Sequence, residues 1–157
     1  MKYFLTIIAS SALILLSCSQ CRSVNNGNEE VQPDGDITYF KYEKHGMRSN
    51  PIIICKVERQ ADGRYKAIYQ DYEVDDSAMC DASIGNDIRG YIQEGKVAEY
   101  KDYYDPGKRV LDGNTWRLEV RYTNGGRIVS GGRVKKPKDF LGVERSIERI
   151  KRAVVEK

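Results

Sequence analysis

The sequence predicts an α+β fold in which an antiparallel sheet of five to six strands carries two helices on one face. Three observations lead there. Trp116, Leu118, Val120 and Tyr122 alternate with Arg117, Glu119 and Arg121, the period of a strand with one buried and one wet face. Phe140, Val143, Ile147, Ile150 and Val154 recur at 3-4-3-4 spacing, the stripe of an amphipathic helix. Both patterns have a weaker counterpart earlier in the chain. The segment from Pro51 to Gly95 reads hairpin then helix, as does the segment from Thr115 to Lys157, so a strand-strand-helix pseudo-repeat would build one two-layer unit.

The elements follow in order. Asp36–Tyr42 is β-branched and aromatic, a first strand. His45-Gly46 and Ser49-Asn50-Pro51 mark the turn region after it. Ile52–Arg59 is a second strand with Cys55 and Val57 on one side, turned by Asp62-Gly63 into a return over Tyr65–Tyr72. Asp71 to Asp81 reads as an acidic, irregular stretch. Ile84, Ile88, Tyr91 and Ile92 then recur at helical spacing, with Gly95 as the stop. Val97–Tyr104 reads as extended and tyrosine-rich. Beyond the Trp116 strand, Asn124-Gly125 turns the chain into Arg127–Gly132, and the last helix is expected from Pro137 onward. Residues 36–157 make one domain.

Ahead of it lies a different kind of sequence. Met1-Lys2 is followed by a 14-residue run without charge, Tyr3–Leu16. A helix of that run is about 21 Å long, short of a bilayer's hydrocarbon core of about 30 Å, so it suits a secretory leader over residues 1–17. Leu15-Leu16-Ser17-Cys18 then resembles the lipobox of bacterial lipoproteins, although Leu16 stands where a smaller residue is more usual. That resemblance implies a diacylglycerol on the Cys18 thiol, cleavage just before it, and acylation of the new amine. Cys18 is then the membrane attachment, and 18–35 a flexible tether. Ser19 stands where Asp resembles an inner-membrane retention signal, which favours the outer membrane, on its periplasmic side. The Asp112-Gly113-x-x-Trp116-x-Leu118 pattern, followed by Gly125 or Gly126, Ser130-x-Gly132 and Pro137-x-x-Phe140, is similar to small uncharacterised lipoproteins of Gram-negative bacteria. It covers roughly residues 97–157. It consists of turn glycines and core aromatics, so it implies a fold and an address but no chemistry.

Composition narrows the function. Lys plus Arg is 26 against 23 for Asp plus Glu, too balanced for a nucleic-acid partner. A single histidine leaves little room for a His-based metal site, and no cofactor is expected. With Cys18 lipidated, Cys21, Cys55 and Cys80 remain. A Cys55–Cys80 disulfide would close about 26 residues and contribute about 3–3.5 kcal/mol; the alternative is a free, buried Cys55. The acidic residues Asp71, Glu73, Asp75, Asp76, Asp81 and Asp87 lack the Asp-x-Asp-x-Asp-Gly spacing of a Ca²⁺ loop and read as solvated. The basic residues Arg127, Arg133, Lys135, Lys136 and Lys138 read as a solvated loop, or as a contact for anionic headgroups. Tyr91, Tyr100, Tyr103 and Tyr104 form a candidate binding surface, since tyrosine offers area and a polar tip. Two functions follow: a non-catalytic, lipid-anchored module that binds a protein or polymer, or an envelope hydrolase using His45 with a carboxylate of the acidic stretch as acid and base.

Overall fold

The computed structural model describes residues 31–46, 51–107 and 113–156. The leader, Cys18, Cys21, the predicted Ser49-Asn50 turn and Asp112 lie outside the described residues. Within them the chain is α+β, with a seven-stranded sheet in the order β4-β3-β2-β1-β6-β7-β5. The strands are β1 (Ile37–His45), β2 (Pro51–Arg59), β3 (Tyr65–Gln70), β4 (Asp75–Cys80), β5 (Tyr103–Tyr104), β6 (Thr115–Tyr122) and β7 (Arg127–Arg133), and the helices are α1 (Ser83–Glu94) and α2 (Leu141–Val155). All pairings are antiparallel except β5 with β7.

The sheet has two strands that the sequence reading left out or left unplaced. The acidic stretch contains β4, because the turn at Asp71–Val74 brings Asp75–Cys80 back along β3. Its residues (Asp-Asp-Ser-Ala-Met-Cys) carry no β-branched or aromatic signal; the hydrogen-bond ladder and the half-buried Ala78 and Cys80 hold it. The Val97–Tyr104 stretch opens with a 3₁₀ turn at Val97–Glu99 and ends in the two-residue β5 beside Gly131 and Gly132. The hairpin-then-helix repeat is consequently broken, since β4 intervenes between β3 and α1.

The core lies on one face of the sheet. Phe40 and Tyr42 of β1, Cys55 and Val57 of β2, Tyr65, Ala67 and Tyr69 of β3, and Trp116, Leu118, Val120 and Tyr122 of β6 are buried there. Ile84, Ile88 and Ile92 of α1 and Val143, Ile150 and Val154 of α2 cover them. The two helices touch closely at Gly95 and Gly142, where a Cβ on Gly95 would lie 2.9 Å from the Gly142 Cα. Ile147 is only partly buried. The other face is polar and neutralises itself, with Lys41–Glu43 at 2.6 Å, Lys56–Glu58 at 2.7 Å and Arg121–Glu119 at 2.8 Å.

Described residues upstream of the Asp36 boundary also pack against the domain. The Gln32 carbonyl accepts from the Asn124 amide at 2.8 Å, the Asp36 carbonyl accepts from the Thr123 N–H at 2.9 Å, and the Asp36 carboxylate pairs with Arg89 at 3.0 Å. The N-terminal segment therefore leaves the domain beside the β6–β7 turn. Among the described residues no helix is long and apolar enough to cross a membrane.

Trp116 is 5% exposed and leads the inward row of β6. Trp116→Ala should cost about 3–5 kcal/mol, measured as a shift in the urea midpoint at constant slope.

Candidate functional site

At the end of the sheet opposite the incoming chain, four rings gather around Phe140. Trp116 meets it edge-on at 5.1 Å between centroids, Tyr42 at 6.0 Å and Tyr100, stacked, at 6.2 Å. Tyr104 lies 6.0 Å from Trp116 and 6.5 Å from Tyr100. Such pairs add directional stabilisation to the area they bury. The phenol of Tyr42 titrates at about 12, raised by its burial and then by the nearby Glu144. The Tyr100 hydroxyl donates to the Asp139 carbonyl, and its titration is likewise moved to about 12 by desolvation, with Asp139 as a further cause.

The connection from β7 to α2 is drawn over this cluster. The Trp116 indole N–H donates to the Lys135 carbonyl at 2.8 Å, and the Val134 N–H donates to the Asn114 carbonyl at 2.8 Å. The Lys135 N–H turns back to the Arg133 carbonyl at 2.6 Å, closing a three-residue turn whose centre, Val134, has φ +63°. That is the rare, strained hand of such a turn, and a β-branched residue pays most for it. Gly132 is needed beneath it, because a Cβ there would lie 2.7 Å from the Lys135 carbonyl and 2.8 Å from the indole nitrogen.

Between this strap and the ends of β1 and β6 is a cleft of about 330 Å³, lined by Tyr42, Lys44, Thr115, Trp116, Val134 and Lys136, with Gly113 and Asn114 at its edge. The volume is at the small end of ligand pockets. Lys44 follows Phe40 and Tyr42 on the inward face of β1 and sits directly across from Trp116. It is half-buried and makes no ion pair among the described residues. Lys136 stands 4.5 Å over the Phe140 ring and 3.4 Å from Glu144.

The four tyrosines proposed as one surface are divided. Tyr100 and Tyr104 belong to the ring cluster, Tyr103 is 56% exposed on the edge strand, and Tyr91 lies between the helices with Arg145 at 5.1 Å from its ring. The basic run is divided too, with Arg127 at one end of β7 and Arg133 at the other. The Cys55–Cys80 disulfide is not formed; both thiols are free. Cys55 sits opposite Tyr69 and Cys80 opposite Tyr65, on strands separated by β3. Two strand spacings are about 9–10 Å, beyond the Cα reach of a disulfide of about 7 Å. Burial pushes the Cys55 thiol far up.

His45 ends β1 opposite Thr115 and Pro51. The acidic residues offered as its partners are largely engaged. Asp71 accepts the N–H groups of Glu73 and Val74 at 2.8 Å each and the Tyr69 hydroxyl at 2.9 Å, with Lys151 at 3.7 Å. Asp81 accepts the Ser83 N–H at 2.8 Å and Asp87 pairs with Arg149 at 2.7 Å. The two backbone N–H bonds and the Tyr69 hydroxyl hold Asp71 below the usual carboxylate range, so it is an acceptor and not a proton source near neutrality. Among the described residues no three metal-ligating side chains come together.

The cleft was not legible as a site. Its charged members belong to separate stretches of sequence, and the one available signal was a lysine at the inward position of the first strand. No family model matches the chain, and no curated protein matches it in sequence.

Two outcomes test this geometry. Because the folded-state pKa of Asp71 is lowered, its contribution is present above the unfolded carboxylate value and lost as pH falls through the folded one. Asp71→Asn should therefore be less stable than the parent at neutral pH, with the gap closing below about pH 4, read from urea midpoints across pH. Val134→Gly should raise stability by about 0.5–1 kcal/mol through release of the turn, seen as a higher melting temperature.

Proposed function

We propose that the chain is a lipid-anchored cell-envelope protein, one of the small lipoproteins of Gram-negative bacteria, and that it acts as a non-catalytic binding module. On this reading Cys18 carries the lipid, residues 18–35 tether the domain to the bilayer, and the protein sits at the outer membrane facing the periplasm. The observation that carries the anchor is Ser17-Cys18 directly after a 14-residue uncharged run. Two or three acyl chains hold a protein at a bilayer where one does so only marginally.

The binding role is supported by the placement of the cleft. Gln32 and Pro33 pack beside the turn after Tyr122, whereas the cleft opens beside Thr115 at the other end of β6. The eight residues of β6 separate the two by about 23 Å. A domain held through its N-terminal segment can turn that cleft away from the membrane, toward a partner in the compartment. The engagement of Asp71, Asp81 and Asp87 favours this over the reading of His45 and a carboxylate as acid and base.

Labelling cells with a tagged fatty acid tests the anchor. The parent protein should take up label and fractionate with membranes. Cys18→Ala should take up none, and should become soluble if the leader is still cleaved. Equal labelling of both would refute the anchor. For the binding role, the lipidated, tagged protein drawn from membranes should bring down a specific envelope component.

A further inference from the structure

We infer that the cleft between β1, β6 and the β7–α2 strap is a binding site for a small organic carboxylate whose acid group is attached to a ring. The inference rests on the binding-module reading and names the chemistry of what is bound. Three independent observations meet in the same cavity.

The first is charge. Both charged residues lining the cleft, Lys44 and Lys136, are cationic. Glu144 of α2 engages Lys136 at 3.4 Å, and among the described residues no carboxylate pairs with Lys44. Lys44 occupies an inward position, across the ladder from Trp116 and two residues beyond the buried Tyr42. A half-buried ammonium gains from a counter-ion, and among the described residues Lys44 has none, in contrast with Lys41 and Lys56 on the open face, each of which is paired with a glutamate. An anion entering the cleft supplies the missing partner, and a charge-assisted bond there is stronger than on the open surface.

The second is shape. Tyr42, Trp116 and the 52% exposed Val134 line the cavity together with Gly113, Asn114, Thr115 and the two lysines, so that apolar and polar surface share it. A cavity of about 330 Å³ with aromatic and polar surface side by side suits one ring bearing polar substituents. A bare inorganic anion would leave the aromatic part of that lining uncovered.

The third is strain. Val134 keeps an exposed valine on a turn that glycine would make at lower cost. Residues held this way cluster at ligand sites, and here the apolar side chain that the strain retains is itself a wall of the cleft.

Trp116 is the sole tryptophan, so its fluorescence reads the cleft directly. The full chain is titrated with glucuronate and with benzoate, and in parallel with glucose, benzyl alcohol and inorganic phosphate at matched ionic strength. At least one ring carboxylate should change the emission saturably, while the neutral ring of the same shape and phosphate should be weaker by about tenfold or more. Lys44→Gln should weaken the carboxylate by roughly tenfold, the loss expected for one charge-assisted hydrogen bond. Lys66→Gln, on the exposed outer face of β3, should leave it unchanged. If Lys44→Gln fails to fold by circular dichroism, Lys136→Gln takes its place with the same expectation. No saturable response, equal binding of the neutral rings or phosphate, or an unchanged affinity in the cleft lysine variant overturns the inference. Fatty-acid labelling at Cys18 is independent of all these arms, so a failed titration with intact labelling removes the ligand and leaves the anchored envelope protein standing.

Discussion

The indole N–H of Trp116 is buried at the end of the sheet, where it must find an acceptor or forfeit the free energy of its solvation. It takes the carbonyl of Lys135. That one bond dictates much of what surrounds it. To present the carbonyl, the chain leaving β7 has to reverse within three residues, which puts Val134 on the unfavourable side of φ. To pass so close to the indole, it needs glycine at position 132. Once drawn in, the strap delivers Phe140 into the middle of the rings and Lys136 onto the face of Phe140. The start of α2 is thereby set over the same end of the core. The cavity is what remains between the reversed strap and the two strand ends beneath it.

The parts of the fold that could be read from sequence are those whose side chains alternate or recur with a clean period. Thr115–Tyr122 and Leu141–Val155 are of this kind, because burying one face of a strand or helix forces apolar residues to a fixed spacing. β4 escaped because an edge strand needs little burial of its own; Asp75 and Asp76 even serve it, since charge on an edge discourages pairing with other chains. β5 escaped because two residues beside a pair of glycines leave no periodic trace. The last helix begins at Leu141, with Phe140 as its cap, later than the pattern suggested. The Asp139 carboxylate accepts from the Leu141 N–H at its start.

The site was less legible than the fold, and for a physical reason. Tyrosine content signals area and polar tips wherever they fall, but only packing decides which rings face inward. Tyr100 and Tyr104 close an aromatic cluster, Tyr103 stays in solvent and Tyr91 serves the helix pair. The same holds for the cysteines: spacing along the chain is compatible with a bridge, while the ladder places β3 between Cys55 and Cys80. Lys44 is the reverse case. Its position in the alternation of β1 is visible in the sequence, yet its meaning emerges only when the facing residues prove to be an aromatic and another lysine.

The position of β1 has a mechanical consequence. It is the first strand of the described chain and also the central one, bonded to β2 on one side and β6 on the other. The segment entering it from Gln32 and Pro33 is its direct continuation. Tension applied to that segment against the far end of the domain runs along the length of β1. The rungs of both ladders lie across that direction and share the load together, so they must yield in shear as a set. Unzipping would require the force to enter at an edge. The arrangement makes the strand that receives the N-terminal segment the one best placed to resist being drawn out by it.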